Sequence, residues 1–265
     1  MFNIIRRLFF HHRSFLIACA VLLGVFQFVT AAIISSIDLP NALERFLVFA
    51  PPIVRTFFEQ SMLGGSTAGI LAFIWNHPVT HALVTAVAIA LGAGAVAGEI
   101  ENGVIELILA QPVSRVSYLL GHLMFAVLSM AMVAFAGLLG ALIGQAVFDL
   151  RPFGWDRLLL LLANLFLLQM SFYSLTLLFS SFGREAGRVA SLGVLAAIVS
   201  FLGNVIAAWW NKAAFMKPYS LHTYYDPRSI LVDGQLAASS IIVLGGFAAV
   251  ALAACLMPAA RASRI

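Results

Sequence analysis

The chain has 265 residues, 62% of them hydrophobic and only 10% charged, and its mean hydropathy of +1.03 lies far outside the soluble range. It reads as a polytopic membrane protein of one transmembrane domain, residues 1–265. A net charge of +4 would suggest nucleic acid in a soluble chain, but here the basic residues sit at span ends and anchor to headgroups, so nucleic-acid binding is not expected.

Residues 2–13 place Phe2, Ile5, Leu8 and Phe9 on one face, with Arg6, Arg7 and Arg13 free to snorkel. This pattern predicts a helix lying in the interface ahead of a first span at about residues 14–36. That run is a full span with no small-residue cleavage site, so a removable signal peptide is not expected. His11 and His12 are adjacent, point apart, and read as interfacial histidines rather than a metal site. In the long segment 37–78, Pro51-Pro52 and Gly64-Gly65 punctuate the chain, and the residues between them have the spacing of a surface helix. The apolar part of residues 62–75 is about half the roughly twenty residues a crossing needs, which predicts a re-entrant or interfacial element.

A second span at about residues 79–97 becomes rich in small residues near its end, with Gly92, Gly94 and Gly98. His77 and His81 have the spacing of a helical metal pair, but Pro78 lies between them and no third ligand is evident, so they read as helix-entry histidines. Then comes GEIENGVIELILAQPVSR, residues 98–115. Its carboxylates Glu99, Glu101 and Glu106 cannot sit in hydrocarbon, so this segment lies at a water-facing surface. A helix would put Glu99, Asn102 and Glu106 near one edge and Ile100, Val104 and Ile108 on another. Asn102-Gly103 is a turn signal and Pro112 biases Gln111 away from helical angles, which leaves a short amphipathic helix over about residues 104–110.

The third span, near residues 116–148, carries a Gly140/Gly144 pair that reads as packing within the chain rather than between chains. The fourth, ending near Phe182, gathers Asn164, Ser171, Ser174 and Ser181 close to one face, as bundle glue or as substrate contacts. Arg184, Glu185 and Arg188 follow in a tight charged turn on the same side as the acidic stretch. The fifth span shows Ala190, Gly193, Ala197, Ser200 and Asn204 at spacings of three and four, the cleanest close-packing stripe in the chain. Residues 212–234 form a second large outer loop with Trp209 and Trp210 at its entrance, and a sixth span runs from about 235 to 257. Cys19 and Cys255 both fall inside apolar runs, so no disulfide framework is implied.

Six spans put both ends on one side. That side holds eight cations in short segments against seven in longer loops on the other, a lean toward cytoplasmic termini. None of the predicted spans contains Asp, Glu, Lys or Arg, so the ionisable group a proton-coupled carrier usually needs is missing. No G-x-x-x-x-G-K-[ST] phosphate cradle occurs either, so energy from ATP would have to enter through a partner.

The acidic run 98–115, following a Gly/Ala-rich span, resembles the cytoplasmic coupling loop of the ABC-2 type export permeases, the membrane subunits of ATP-binding-cassette exporters. That family usually has Gly-Thr-Leu where this chain has Gly103-Val104-Ile105, which removes a hydroxyl but keeps the apolar edge. Within the family the chain is most similar to the shorter permeases encoded with multicopper-enzyme and nitrous-oxide-reductase maturation systems. The resemblance implies an all-α fold of type-2 exporter architecture: six transmembrane helices, an N-terminal interfacial helix and a cytoplasmic coupling helix. It implies a non-catalytic subunit in the inner (cytoplasmic) membrane with both termini cytoplasmic. ATP and Mg would be bound by a separate ATPase subunit, and the chain itself would hold no cofactor and no metal. Glu99, Glu101, Gly103, Glu106, Pro112 and Arg115 become the positions that face or shape the ATPase contact, with Arg184, Glu185 and Arg188 as a second cytoplasmic contact. The first and fifth spans resemble a seam between two copies, which assigns Ala190, Gly193, Ala197, Ser200 and Asn204 to a homodimer interface. Membrane lipid and an outer-side or periplasmic protein complete the expected partners. The substrate is not written in the sequence: drugs, lipids, peptides or a mechanical task fit equally. The alternative is a secondary transporter with no ATPase partner.

Overall fold

The computed structural model describes residues 2–36, 48–49, 67–104, 114–150 and 154–262. Among them every regular element is helical, and six helices are long and apolar enough to cross a membrane: Asn3–Ser36, Leu71–Glu101, Val116–Val147, Trp155–Phe182, Ala186–Trp209 and Ala238–Leu256. The predicted Pro51–Pro52 punctuation, the surface helix after it and the amphipathic turn with Glu106 and Pro112 lie outside the described residues.

Helix α1 spans Phe2–Ser36 without interruption. This corrects the expectation of an interfacial helix set apart from the first span. No glycine or proline falls between Phe2 and Leu23, so nothing turns the chain at Arg13. At about 1.5 Å per residue such a helix is roughly 50 Å long against roughly 30 Å of hydrocarbon, so its first dozen residues project as a stalk.

Helix α2 (Thr67–Trp75) and helix α3 (Pro78–Ala93) are separated only by Asn76 and His77. Residues 71–101 together make the second apolar helix, so the described part of the element read as re-entrant or interfacial runs on into α3 through a bend at Asn76–His77. The bend is closed by polar groups. His77 Nδ1 accepts from the Val79 amide at 3.2 Å, and the Thr80 hydroxyl donates back to the Ile74 carbonyl at 3.1 Å. Beyond α3 come a π-helical turn, Gly94–Gly98, and a last α-turn, Glu99–Glu101.

Helix α4 (Arg115–Val147) lies along α1 for most of its length. Glycines make that approach possible. A Cβ on Gly140 would overlap the Gly24 carbonyl, and one on Gly144 would lie 2.6 Å from the Ala31 Cβ. The Gly140/Gly144 pair therefore packs within the chain, as its sequence reading expects. Helix α5 (Trp155–Phe182) packs with α3 at the centre, where Val84, Val87, Leu161, Leu165, Leu168 and Phe172 are fully or almost fully buried. Helix α6 (Ala186–Trp209) and helix α8 (Gly246–Ala262) flank this centre, α8 being entered through Ala238–Ser240 and a π-helical turn at Ile241–Gly245.

At the end of the bundle far from the N-terminus, two 3-10 segments (Asn211–Tyr219, Leu221–Tyr224) and helix α7 (Pro227–Asp233) form a cap. Asn164 of α5 holds it from below, donating to the Tyr224 carbonyl and accepting from the Asp226 amide, both at 3.0 Å. Arg157 donates to the Leu231 and Val232 carbonyls at the end of α7. The other hydroxyls on that face bond backbone: Ser171 reaches the Leu167 and Leu244 carbonyls, while Ser174 and Ser181 bond to their own helix. Asn164 and Ser171 thus tie α5 to neighbouring elements, whereas Ser174 and Ser181 bond only within it.

Candidate functional site

The acidic stretch closes the second apolar helix, and its geometry follows from the π-turn before it. A π-turn opens the ordinary i→i−4 ladder and leaves backbone groups to be matched elsewhere. Ser180 of α5 matches them: its hydroxyl donates to the Ala93 carbonyl at 3.0 Å and accepts from the Ala97 amide at 2.8 Å. The central pair of helices is thereby pinned where the motif begins.

Glu99 is buried, with only 8% of its surface exposed. Its Oε1 accepts from the Arg7 guanidinium of the α1 stalk, and His122 Nε2 of α4 stands 3.9 Å from the same oxygen. The sequence reading put Glu99 on an exposed edge with Asn102 and Glu106. The structure instead carries it on the packed stripe of the second apolar helix, where Val84, Ala88, Leu91, Ala95 and Glu99 follow at spacings of four and three and all are buried. That register was readable in the sequence. Its partner was not, because an arginine in an amphipathic N-terminal segment looks like any snorkelling cation.

Glu101 is exposed, and its Oε2 accepts from the Ala186 amide at 2.8 Å, satisfying the first free N–H of α6. The two carboxylates therefore tie the stretch to two helices far away in sequence. Asn102 and Gly103 form the predicted turn: the Asn102 side-chain Nδ2 donates to the Gly98 carbonyl at 2.7 Å, and Gly103 has φ +67, a left-handed backbone that suits glycine. Arg115 opens α4, whose N-terminus is capped by Ser114 accepting from the Ser117 amide at 3.1 Å. In the second charged turn, Arg184 is exposed, and Arg188 pairs with Glu185 at 2.8 Å on an exposed surface.

The small-residue stripe of the fifth span turns inward. A Cβ on Gly193 would lie 2.7 Å from the Thr176 hydroxyl of α5, and Ala197 belongs to the core. Ser200 bonds His222 Nδ1 at 2.8 Å, and Asn204 accepts from Thr223 at 3.0 Å, both in the far-end cap. Burial pushes the His222 imidazole down to about 4. The exposed side of α6 is the opposite one, with Leu192, Leu195, Val199, Leu202 and Ile206. Among the described residues no three of His, Cys, Asp and Glu come together as metal ligands would. His77 and His81 are engaged instead with the Val79 amide and with Asn76.

Beside Glu99 lies a cavity of about 620 Å³, walled by Arg7, His11 and His12 of α1, by the glycine-rich end of α3, and by Ala186, Gly187 and Ala190 of α6. The acidic end of the second apolar helix is exposed at Glu101–Gly103 and is bonded to α1 through Glu99 and to α6 through Glu101, while the π-turn before it is bonded to α5. A family model described as ABC-2 family transporter protein matches residues 10–262 of the chain. No curated protein and no solved structure matches it.

Proposed function

Since the chain belongs to the ABC-2 family of transporter proteins, we propose that it is the permease subunit of an ATP-binding-cassette exporter in the inner membrane, with both termini cytoplasmic and a separate ATPase subunit docked on its acidic stretch. The observation that carries this reading is the double tie of that stretch, Glu99 to Arg7 and Glu101 to the Ala186 amide. A push on Glu101–Gly103 has to move α1 and α6 together, while Ser180 transmits it to the central helix α5. The ATPase touches the exposed residues Glu101, Asn102 and Gly103 and the neighbouring segment with Glu106 and Pro112, and reaches Arg184, Glu185 and Arg188 as a second contact. Glu99 acts behind this surface as the gear that turns α1. Closure of two ATPase subunits on ATP then rocks the helices and alternates access.

A second copy completes the assembly. The small-residue stripe packs inside the chain, so the partner copy is proposed to meet the exposed apolar faces of the first and fifth spans instead, Val21, Leu22 and Val25 of α1 and Leu195, Val199 and Leu202 of α6. An outer-side partner would meet the far-end cap.

The test is co-purification of the native complex with identification of its ATPase, followed by charge reversal at Glu101. Folded Glu101→Lys protein that binds the ATPase yet shows no ATP-driven transport supports the reading; full transport by the chain alone refutes it. Single cysteines at Leu195 should crosslink two copies and those at Gly193 should not. The reverse pattern would return the seam to the small-residue stripe.

A further inference from the structure

Among the described residues two spans contain a π-helical turn, Gly94–Gly98 and Ile241–Gly245, and α5 bonds both. Ser180 holds the first and Ser171 the second. The two serines are nine positions apart, about two and a half turns, so they stand on opposite sides of α5. A π-turn closes i→i+5 bonds and so holds one residue more than an α-turn would. The two clasps differ. Ser180 Oγ donates to the Ala93 carbonyl at 3.0 Å and accepts from the Ala97 and Val96 amides at 2.8 and 3.3 Å, so both roles of the hydroxyl are spent on the first turn. Ser171 offers the second turn only its one proton. That proton lies between two carbonyls, Leu244 across the interface at 3.1 Å and Leu167 of its own helix at 2.9 Å. Letting go of Leu244 therefore leaves the buried serine hydroxyl bonded, and the cost of stranding it does not arise.

The chain on either side of the second turn is held unequally. Ser240 before it is buried, and Leu244 within it is fully buried. Gly245 and Gly246 then follow each other. A Cβ on Gly245 would meet Leu167 Cδ2 at 3.8 Å, an ordinary contact, and one on Gly246 would find open space, so close packing demands neither glycine. What both give the chain there is backbone freedom. Beyond them, up to Leu256, the buried side chains of α8 are Ala248, Ala251 and Cys255, with Leu252 half-buried. Side chains this short make few interlocking contacts, so the seam can part without a change of rotamers.

We propose that the π-helical turn Ile241–Gly245 is a hinge on which Gly246–Ala262 swings away from α5, with Ser171 as its latch. The use of that motion in export rests on the permease reading above; the hinge itself does not.

The chain carries its own reporter. Cys255 is buried on the seam, and Cys19 is buried in α1, outside the moving part. The experiment labels the full chain in phosphatidylcholine nanodiscs with N-ethylmaleimide, without any ATPase, and follows each cysteine separately by peptide mass mapping. Ser171→Ala removes the latch and should speed labelling of Cys255 by about fivefold, the equilibrium change that one lost hydrogen bond of about 1 kcal/mol gives, while Cys19 keeps its wild-type rate. Gly245→Ala/Gly246→Ala fits the space present and stiffens the turn, so it should slow Cys255 by about twofold or more. Deleting Ile242, which is 70% exposed, takes out the extra residue and leaves both flanks in register. Combined with Ser171→Ala, it should return Cys255 to the wild-type rate or below. Unchanged labelling of Cys255 in Ser171→Ala overturns the proposal, and so does equal acceleration at both cysteines, which reports general loosening. An acceleration that survives undiminished in the Gly245→Ala/Gly246→Ala background overturns it too, and that background decides the matter if the deletion does not fold. Because no ATPase is present, failure here leaves the permease reading standing. A hinge found in a chain that proves to have no ATPase partner removes that reading alone.

Discussion

Breaking the Arg7–Glu99 pair from each side in turn should give unequal results. Glu99 keeps 10% of its side chain exposed and Arg7 keeps 40%. Arg7→Gln strands a carboxylate in the packed end of the second apolar helix, where His122 stands 3.9 Å away. Removing one partner of a buried pair costs about 3–5 kcal/mol, and the partial exposure of Arg7 places this case near the lower end, about 3 kcal/mol. Glu99→Gln leaves an arginine that can turn toward water, so the loss is about 1 kcal/mol. The double variant Arg7→Gln/Glu99→Gln should be more stable than Arg7→Gln alone, because no charge is then buried without its counter-ion. The measurement is unfolding in mixed micelles followed by circular dichroism, read as a double-mutant cycle. Raising the salt should change the coupling little, since a packed pair is poorly screened. Equal losses in the two single variants, or strict additivity in the double, would refute the assignment of Glu99 as a buried tie.

Gly140→Ala should separate α1 from α4, because the added methyl meets the Gly24 carbonyl, and should cost about 1–3 kcal/mol in thermal unfolding, whereas Gly187→Ala, with open space around it, should be neutral or gain about 0.5–1 kcal/mol. Ser180→Ala leaves the Ala93 carbonyl and the Ala97 amide of the π-turn unmatched in a buried place, which should cost about 1–3 kcal/mol and speed hydrogen exchange at Ala97. The far-end cap should be acid-labile. His222 is neutral in the fold down to about 4. An unfolded histidine charges near 6.5, so the unfolded chain binds the extra proton between those two values. Stability is then full above about pH 6.5 and falls by about 3 kcal/mol as the pH drops to about 4. His222→Gln should make this profile shallower, and an unchanged slope would show that another group carries it.

How much of this was legible beforehand depended on the range of the interaction. The bilayer imposes a local rule, a minimum length of apolar chain with its backbone bonded internally, and six such stretches can be counted without knowing what touches what. The Asn102-Gly103 turn was equally local in origin, since the left-handed backbone at Gly103 favours a residue without a Cβ. Whether residues 67–75 formed an element of their own was not decidable that way, because nine residues of apolar chain fit several arrangements and only the bend at Asn76–His77 joins them to α3.

The partners of the acidic stretch belonged to the tertiary structure alone. Arg7 and Glu99 are 92 positions apart, Glu101 and Ala186 are 85, and no periodicity in either segment points at the other. The same holds for the stripe of the fifth span: small side chains say that a backbone comes close, but not whose. Here it is the chain's own α5 and cap that fill that face. Composition and period set how many helices cross and where the polar segments surface, because water and lipid act on each residue where it stands; which helix answers which carboxylate is settled only when the helices pack, because that choice depends on geometry shared by residues distant in the chain.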